Sequence, residues 1–140
     1  MDGMRVAGHL IRRLHQQSMQ VFQAQTQAAG FDLTSVQYAA LECIAQNPGI
    51  DQASLAAAIG FDRATIGGVI DRLERKELAQ RVVSAQDRRA RQLNLTPAGE
   101  QLLAACRPVV QSLQDDILAL LSPQEREVFL ALSHKALGLD

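Results

Sequence analysis

Apolar residues recur every three to four positions over most of the chain, interrupted by short breaks rich in Gly, Pro and Asn. Over residues 5 to 29, Val6, Leu10, Ile11, Leu14, Val21 and Phe22 share one face, which predicts a long amphipathic helix closed by Gly30. That face is sparse near Gln16 and Gln17 and again from Gln23 to Gln27, so the helix is expected to pack partly against another subunit. Thr34-Ser-Val-Gln37 has the form of a capping box and opens a helix with Val36, Ala40, Leu41 and Ile44 inward, ending before Asn47. Asp51 caps a short helix with Leu55 and Ile59 inward, ended by Gly60. Phe61 and Asp62 form a tight link, and Asp62 caps a helix from Arg63 to about Lys76 with Ile66, Val69, Ile70 and Leu73 on its inner face. Two helices joined by so short a Gly-containing turn predict a helix-turn-helix.

Beyond it the period changes. Two short strands are expected near 81–84 and 91–95, around a loop carrying Asp87, Arg88, Arg89 and Arg91. A hairpin with a cationic tip beside a helix-turn-helix is a winged helix. One aspartate cannot neutralise three arginines, but it can hold one guanidinium through a bidentate bond. Thr96-Pro97 then supplies an N-cap and a proline at the first helical position. The helix that follows carries Leu102, Leu103, Val109, Val110, Leu113, Ile117 and Leu120, with Pro108 expected to kink it or break it in two. Ser122-Pro-Gln-Glu125 is a second capping box, and the last helix is expected to bury Val128, Phe129, Leu132 and Leu137.

The fold class is therefore mainly α with a small β-hairpin wing, a single winged helix-turn-helix domain over 1–140. Residues 34–95 form the module, and the helices of 1–30 and 97–140 flank it. One small winged helix cannot cover the apolar faces of those flanking helices. The simplest solution is a two-fold homodimer in which they interlock, placing two helix-turn-helix units about one turn of duplex (~34–36 Å) apart on a pseudo-palindromic site.

Charge sharpens this picture. The net charge is −1, but residues 61–91 hold eight Arg and Lys against five Asp and Glu, while the remainder holds six against ten. Cations gather where phosphates would lie, although a solvated charged face would look similar. On the helix after Asp62, the outer face carries Ala64, Gly68, Asp71 and Arg75, flanked by Gly67 and Arg72. Each glycine costs roughly 1 kcal/mol against alanine in a helix interior. Either they pack against another helix, or they let this face approach a DNA groove closely.

Other chemistry is thin. There is no GxSxG, Walker A, HExxH or paired-carboxylate motif, so an enzyme is not expected. His9, His15 and His134 lack helical metal-ligand spacing, and no metal or cofactor is expected. Cys43 and Cys106 lie far apart among apolar neighbours, outside any CxxC, and read as buried thiols rather than a redox sensor. No apolar run reaches the ~18 residues of a membrane span, and no secretory core follows the first residues, which predicts a cytoplasmic protein.

Asp62-Arg-Ala-Thr-Ile-Gly-Gly-Val-Ile-Asp-Arg-Leu-Glu-Arg-Lys, followed by Asp87-Arg-Arg-Ala-Arg-Gln-Leu-Asn-Leu-Thr-Pro-Ala-Gly99, resembles the MarR family of bacterial transcriptional regulators. The D-x-R wing and the L-x-L-T-x-x-G run carry the likeness, and the helical layout on both sides extends it over nearly the whole chain. The resemblance implies a homodimer that binds double-stranded DNA, most simply as a repressor released by a small aromatic carboxylate or phenolic effector. That effector would lie between the dimer helices and the DNA module. His9, Arg12, Arg13 and His15 on the first helix and Tyr38 on the second are candidate effector residues. For DNA, Arg63, Ala64, Thr65, Gly67 and Gly68 occupy the early turns that would enter the major groove. Arg72 and Arg75 either hold phosphates or pair along the helix, as Asp71 with Arg75, whereas Arg88, Arg89 and Arg91 on the wing face phosphates or a minor groove, oriented by Asp87. Glu77 stands where the family usually has glycine, so that helix end is expected to be reshaped or strained. A metal- or thiol-responsive regulator of the same fold and a helical protein-interaction dimer are the rival readings.

Overall fold

A Thr, Ser or Asp side chain turns back onto the amide three residues later at the start of five helices in the computed structural model, which describes residues 4–86 and 91–139. These caps satisfy amides that have no partner within the helix, so they set where each helix begins. In chain order the elements are α1 (Ala7–Ala28), α2 (Ser35–Gln46), β1 (Ile50–Asp51), α3 (Gln52–Ile59), α4 (Arg63–Arg75), β2 (Ala79–Val83), β3 (Arg91–Leu95), α5 (Pro97–Ile117) and α6 (Pro123–Leu137). Thr34 and Ser122 complete reciprocal capping boxes with Gln37 and Glu125.

The three strands form one antiparallel sheet in the order β1-β3-β2. The short β1 was not foreseen: two residues are too few to show an alternating pattern. It pairs Ile50 with Leu93. β2 starts two residues earlier than expected, because Ala79 is buried and pairs with Leu95. Leu93, fully buried, joins the sheet to the core. That core is built from Leu41 and Ile44 of α2, Leu55 of α3, Ile66, Ile70 and Leu73 of α4, and Leu103, Cys106 and Leu113 of α5.

Two expectations need correction. The last helix buries nothing within one chain: Val128, Leu132 and Leu137 are 58%, 60% and 72% exposed and Phe129 only half-buried. α6 meets the rest of the chain along one edge and leaves its other apolar residues outward. Leu120 lies beyond the end of α5 and is exposed. Within one chain the Gln-rich part of α1 makes two exposed hydrogen bonds, Gln17 Nε2 donating to the Ile117 carbonyl at 2.7 Å and Gln25 Nε2 to Asp116 at 2.6 Å, while Gln16, Gln23 and Gln27 stay exposed. The uncovered large apolar residues of this segment are Val6 just before α1, Leu10 and Ile11 in its first turns and Met19 further along. As for Pro108, α5 runs through it unbroken. Pro108 and Ala104, whose carbonyl loses its usual donor, both lie on the exposed side, where solvent can replace that bond.

Candidate nucleic-acid interface

The site is built on the pair α3 and α4. Asp51 Oδ1 accepts from the Ser54 amide at 2.8 Å, and Asp62 Oδ1 from the Thr65 amide at 2.7 Å. Both carboxyls are held below the usual aspartate range, chiefly by those backbone bonds and then by the Ser54 and Thr65 hydroxyls. Between the helices, Gly60 takes a left-handed conformation at φ 76°, and the axes turn through 109°, within the helix-turn-helix range of about 90–120°.

α4 divides as its periodicity predicts. Ile66, Val69, Ile70 and Leu73 are buried; Arg63, Ala64, Thr65, Asp71, Arg72 and Arg75 are exposed. The two glycines separate. Gly67 is half-buried under α3, and a Cβ there would lie 3.1 Å from Gln52 Nε2, so its smallness serves packing. At Gly68 the nearest atom to such a Cβ is the Arg72 guanidinium at 3.8 Å, so that position stays open toward the outer face. Asp71 does not pair with Arg75. It accepts from Arg81 Nη1 at 2.7 Å, which leaves Arg63, Arg72 and Arg75 without a carboxylate partner among the described residues. Lys76 is engaged elsewhere, donating to the Asp32 carbonyl at 2.6 Å. On the wing, Arg91 is exposed at the start of β3; Asp87, Arg88 and Arg89 lie outside the described residues.

Two charged clusters escaped the sequence reading. One is Arg81 with Asp71, Glu74 and Gln52. The other joins α5 to α2: Arg107 grips Glu42 with Nε and Nη2, both at 3.0 Å, while the Tyr38 hydroxyl donates to the same carboxylate at 3.1 Å. Tyr38 and Glu42 are one turn apart on α2, but the arginines lie 7 to 65 residues from their partners on different elements, and no local spacing rule links them. The one available signal was strand alternation, which sets Arg81 on the same face as the buried Ala79, where a charge needs partners. The Arg107 bonds hold the Glu42 carboxyl below its ordinary value. Burial, followed by the Glu42 charge, pushes the Tyr38 hydroxyl up to about 12.

The effector candidates do not converge as one group. His9 is half-buried and Arg12, Arg13 and His15 are exposed, all in the N-terminal half of α1. Tyr38 lies tilted against Phe22, ring centroids 6.2 Å apart. At about 1.5 Å rise per residue, His9 is roughly 20 Å of helix from Phe22 and His15 roughly 10 Å. His15 also lines a cleft of about 720 Å3 between α1, α5 and α6, beside Leu14, Ile117, Phe129 and Arg126. Arg126 bonds Asp115 at 3.1 Å, and its buried Nε has no acceptor among the described residues. No group of three His, Cys, Asp or Glu among the described residues could hold a metal ion. Cys106 is buried, and that burial pushes its thiol up, which disfavours the thiolate a redox sensor needs.

Comparison with known proteins gives a consistent set of likenesses. Residues 33–90 match the model of the MarR family. Transcriptional regulator HosA of Escherichia coli is 37% identical over 132 residues, covering 94% of this chain and 95% of HosA. Among solved structures, one concerns regulation of the DNA binding of Bordetella bronchiseptica BpsR by 6-hydroxynicotinic acid; it superposes with a TM-score of 0.86 at 28% identity, over 94% of this chain and 93% of BpsR. The transcriptional repressor CouR, bound to a 23-mer DNA duplex, gives 0.84 at 28% identity over 94% and 92% of the two chains.

Proposed function

Because the chain belongs to the MarR family of transcriptional regulators, we propose that two copies of it bind a pseudo-palindromic DNA duplex as a repressor, and that a small aromatic acid or phenol releases them. The observation that carries the DNA reading is the outer face of α4. It presents Arg63, Ala64 and Thr65 at its start and Arg72 and Arg75 at its end, with no competing carboxylate on the arginines among the described residues. Arg63 and Thr65 lie on the turns that enter a major groove, where Ala64 and Gly68 permit close approach; Arg72, Arg75 and the wing cations Arg88, Arg89 and Arg91 hold phosphates, with Asp87 orienting one of them. Residues 34–95 are the DNA module. The flanking helices of 1–30 and 97–140 are the dimer contact, which accounts for the uncovered Val6, Leu10, Ile11, Val128, Leu132 and Leu137. This function requires no catalytic step and suits the cytoplasm.

The effector reading draws on the 6-hydroxynicotinic acid of BpsR. Of the candidates, His15 lines the cleft between α1, α5 and α6 and is the one best placed to meet a small ring there; Tyr38 packs on Phe22, and His9, Arg12 and Arg13 lie further along α1. Binding there would favour a dimer geometry whose two α4 helices no longer match consecutive major grooves. A mobility-shift assay on the DNA upstream of the gene, repeated with a panel of hydroxylated aromatic acids, tests both parts. A salt-sensitive shift that one of these acids reverses is expected. No shift at low salt would leave a helical protein-interaction dimer; a shift reversed by peroxide or a chelator instead would make the regulator a thiol or metal sensor. Arg75→Ala should reduce the slope of log K against log salt by about one unit, as loss of one phosphate contact requires.

A further inference from the structure

The strand β2 carries a cation that the DNA face never uses. Arg81 is third in β2, paired across the sheet with Leu93, and its side chain is 20% exposed. Its Nη1 donates to Asp71 Oδ1 at 2.7 Å and also to Glu74 Oε1. Nε and Nη2 donate to Gln52 Oε1 at 3.3 and 3.1 Å, and Nη2 also to the Gly67 carbonyl at 3.3 Å. A guanidinium has five N–H donors, and here five bonds engage them. Nothing remains to offer a phosphate.

We propose that Arg81 is a positioning residue for DNA recognition: it fixes the angle between α4 and the wing and masks the two carboxylates on the flank of α4, without touching DNA itself. The covalent connection between α4 and β2 is only residues 76–78. Arg81 closes a second connection across that turn and adds a third arm to α3 through Gln52, whose side chain passes over Gly67 where a Cβ would crowd it. Unpaired, Asp71 and Glu74 would present two negative charges beside the surface that meets phosphates, and like charges across an interface select against binding. Lysine cannot reproduce the fork, being a single point charge.

This inference rests on the DNA-binding reading, so its test separates the two. The probe is the tightest duplex that the wild-type dimer enriches from a random library, with a scrambled duplex of equal length as control. Arg81→Met should lose at least about tenfold more on the selected duplex than on the scrambled one, which feels only the charge repulsion, and leave the salt slope as it was. Arg81→Lys should fall with the methionine variant in selectivity, and it serves alone if the methionine variant does not fold. A double variant, Asp71→Asn with Glu74→Gln, should recover in the Arg81→Met background part of the affinity lost on both duplexes, because the unmasked charges are gone. Equal losses on both duplexes with a slope reduced by about one would make Arg81 a phosphate contact and overturn the proposal. So would wild-type selectivity in either Arg81 variant. A wild-type protein that enriches no duplex would overturn the DNA-binding reading and this inference with it.

Discussion

Glu77 holds a backbone conformation that Gly30, Gly60 and Gly138 hold at the ends of three other helices, with φ at 60°. The hydrogen bonds are of the same kind: the Glu77 amide donates to the Glu74 carbonyl and the Leu78 amide to the Leu73 carbonyl, both at 2.9 Å. An L side chain in this region costs roughly 1 kcal/mol, and the turn persists because the buried Leu73 and Leu78 and the Thr96 hydroxyl on the Glu77 carbonyl hold it. The strain anticipated from a glutamate at this position is present, and the helix end is not reshaped. Glu77→Gly should therefore raise stability by about 0.5–1 kcal/mol, seen as a higher urea midpoint with an unchanged slope; a lower midpoint would give the glutamate side chain a role of its own. Gly99 is the opposite case. A Cβ there would sit 2.0 Å from the Leu78 carbonyl oxygen, so α5 can start against the end of α4 only without a side chain at that position. Gly99→Ala should cost about 1–3 kcal/mol, measured by the same titration. The sequence placed Gly99 in a family motif; the close approach that demands glycine is visible only once Leu78 and Gly99, 21 positions apart, are brought together.

At the scale of helices and strands, the caps were legible because each is a contact between residues three apart. They also make stability depend on acid. The folded carboxyls of Asp51, Asp62 and Glu42 lie below their ordinary values. A depressed folded value means the contribution is complete above the unfolded value, near pH 4, and is lost as pH falls through the folded one. Replacing both capping aspartates by asparagine keeps a good cap. That double variant should match wild type at pH 7 and show a shallower loss of the urea midpoint as pH falls below about 4; an unchanged acid limb would assign the loss to other groups. Tyr38 acts at the other end. With its folded value raised from 10.0 to about 12, its contribution is present below pH 10 and is lost as pH rises through that window. The wing strands were less legible: two residues of β1 show no alternation, and the start of β2 was fixed by the burial of Leu78 and Ala79.

For the molecule as a whole, the uncovered surface matters more than the core. A single chain leaves Val128, Leu130, Leu132, Leu137 and Leu139 at its C-terminal end and Met4, Val6, Leu10 and Ile11 at its N-terminal end exposed. A second copy would cover both ends together, since α1 and α6 line the same cleft. Leu132→Glu should convert the dimer to a monomer by light scattering and remove operator binding. It should not unfold the module of residues 34–95, because Leu132 is 60% exposed in the chain itself. A variant that stays dimeric would move the interface elsewhere. The wild-type melting temperature should also rise with protein concentration, as association requires.

The order of helices, their starts, the inner face of α4 and the helix-turn-helix geometry were settled by the chain's own pattern, because each depends on residues within one or two turns of one another. The tertiary structure decided which charges on α4 stay without a carboxylate partner among the described residues. Asp71 and Arg75 share a helix at ideal spacing, yet Asp71 faces Arg81, and Glu42 is taken by an arginine 65 positions away. Ion pairs form between whichever groups packing brings within reach, and that packing is set by the buried apolar faces rather than by the charges.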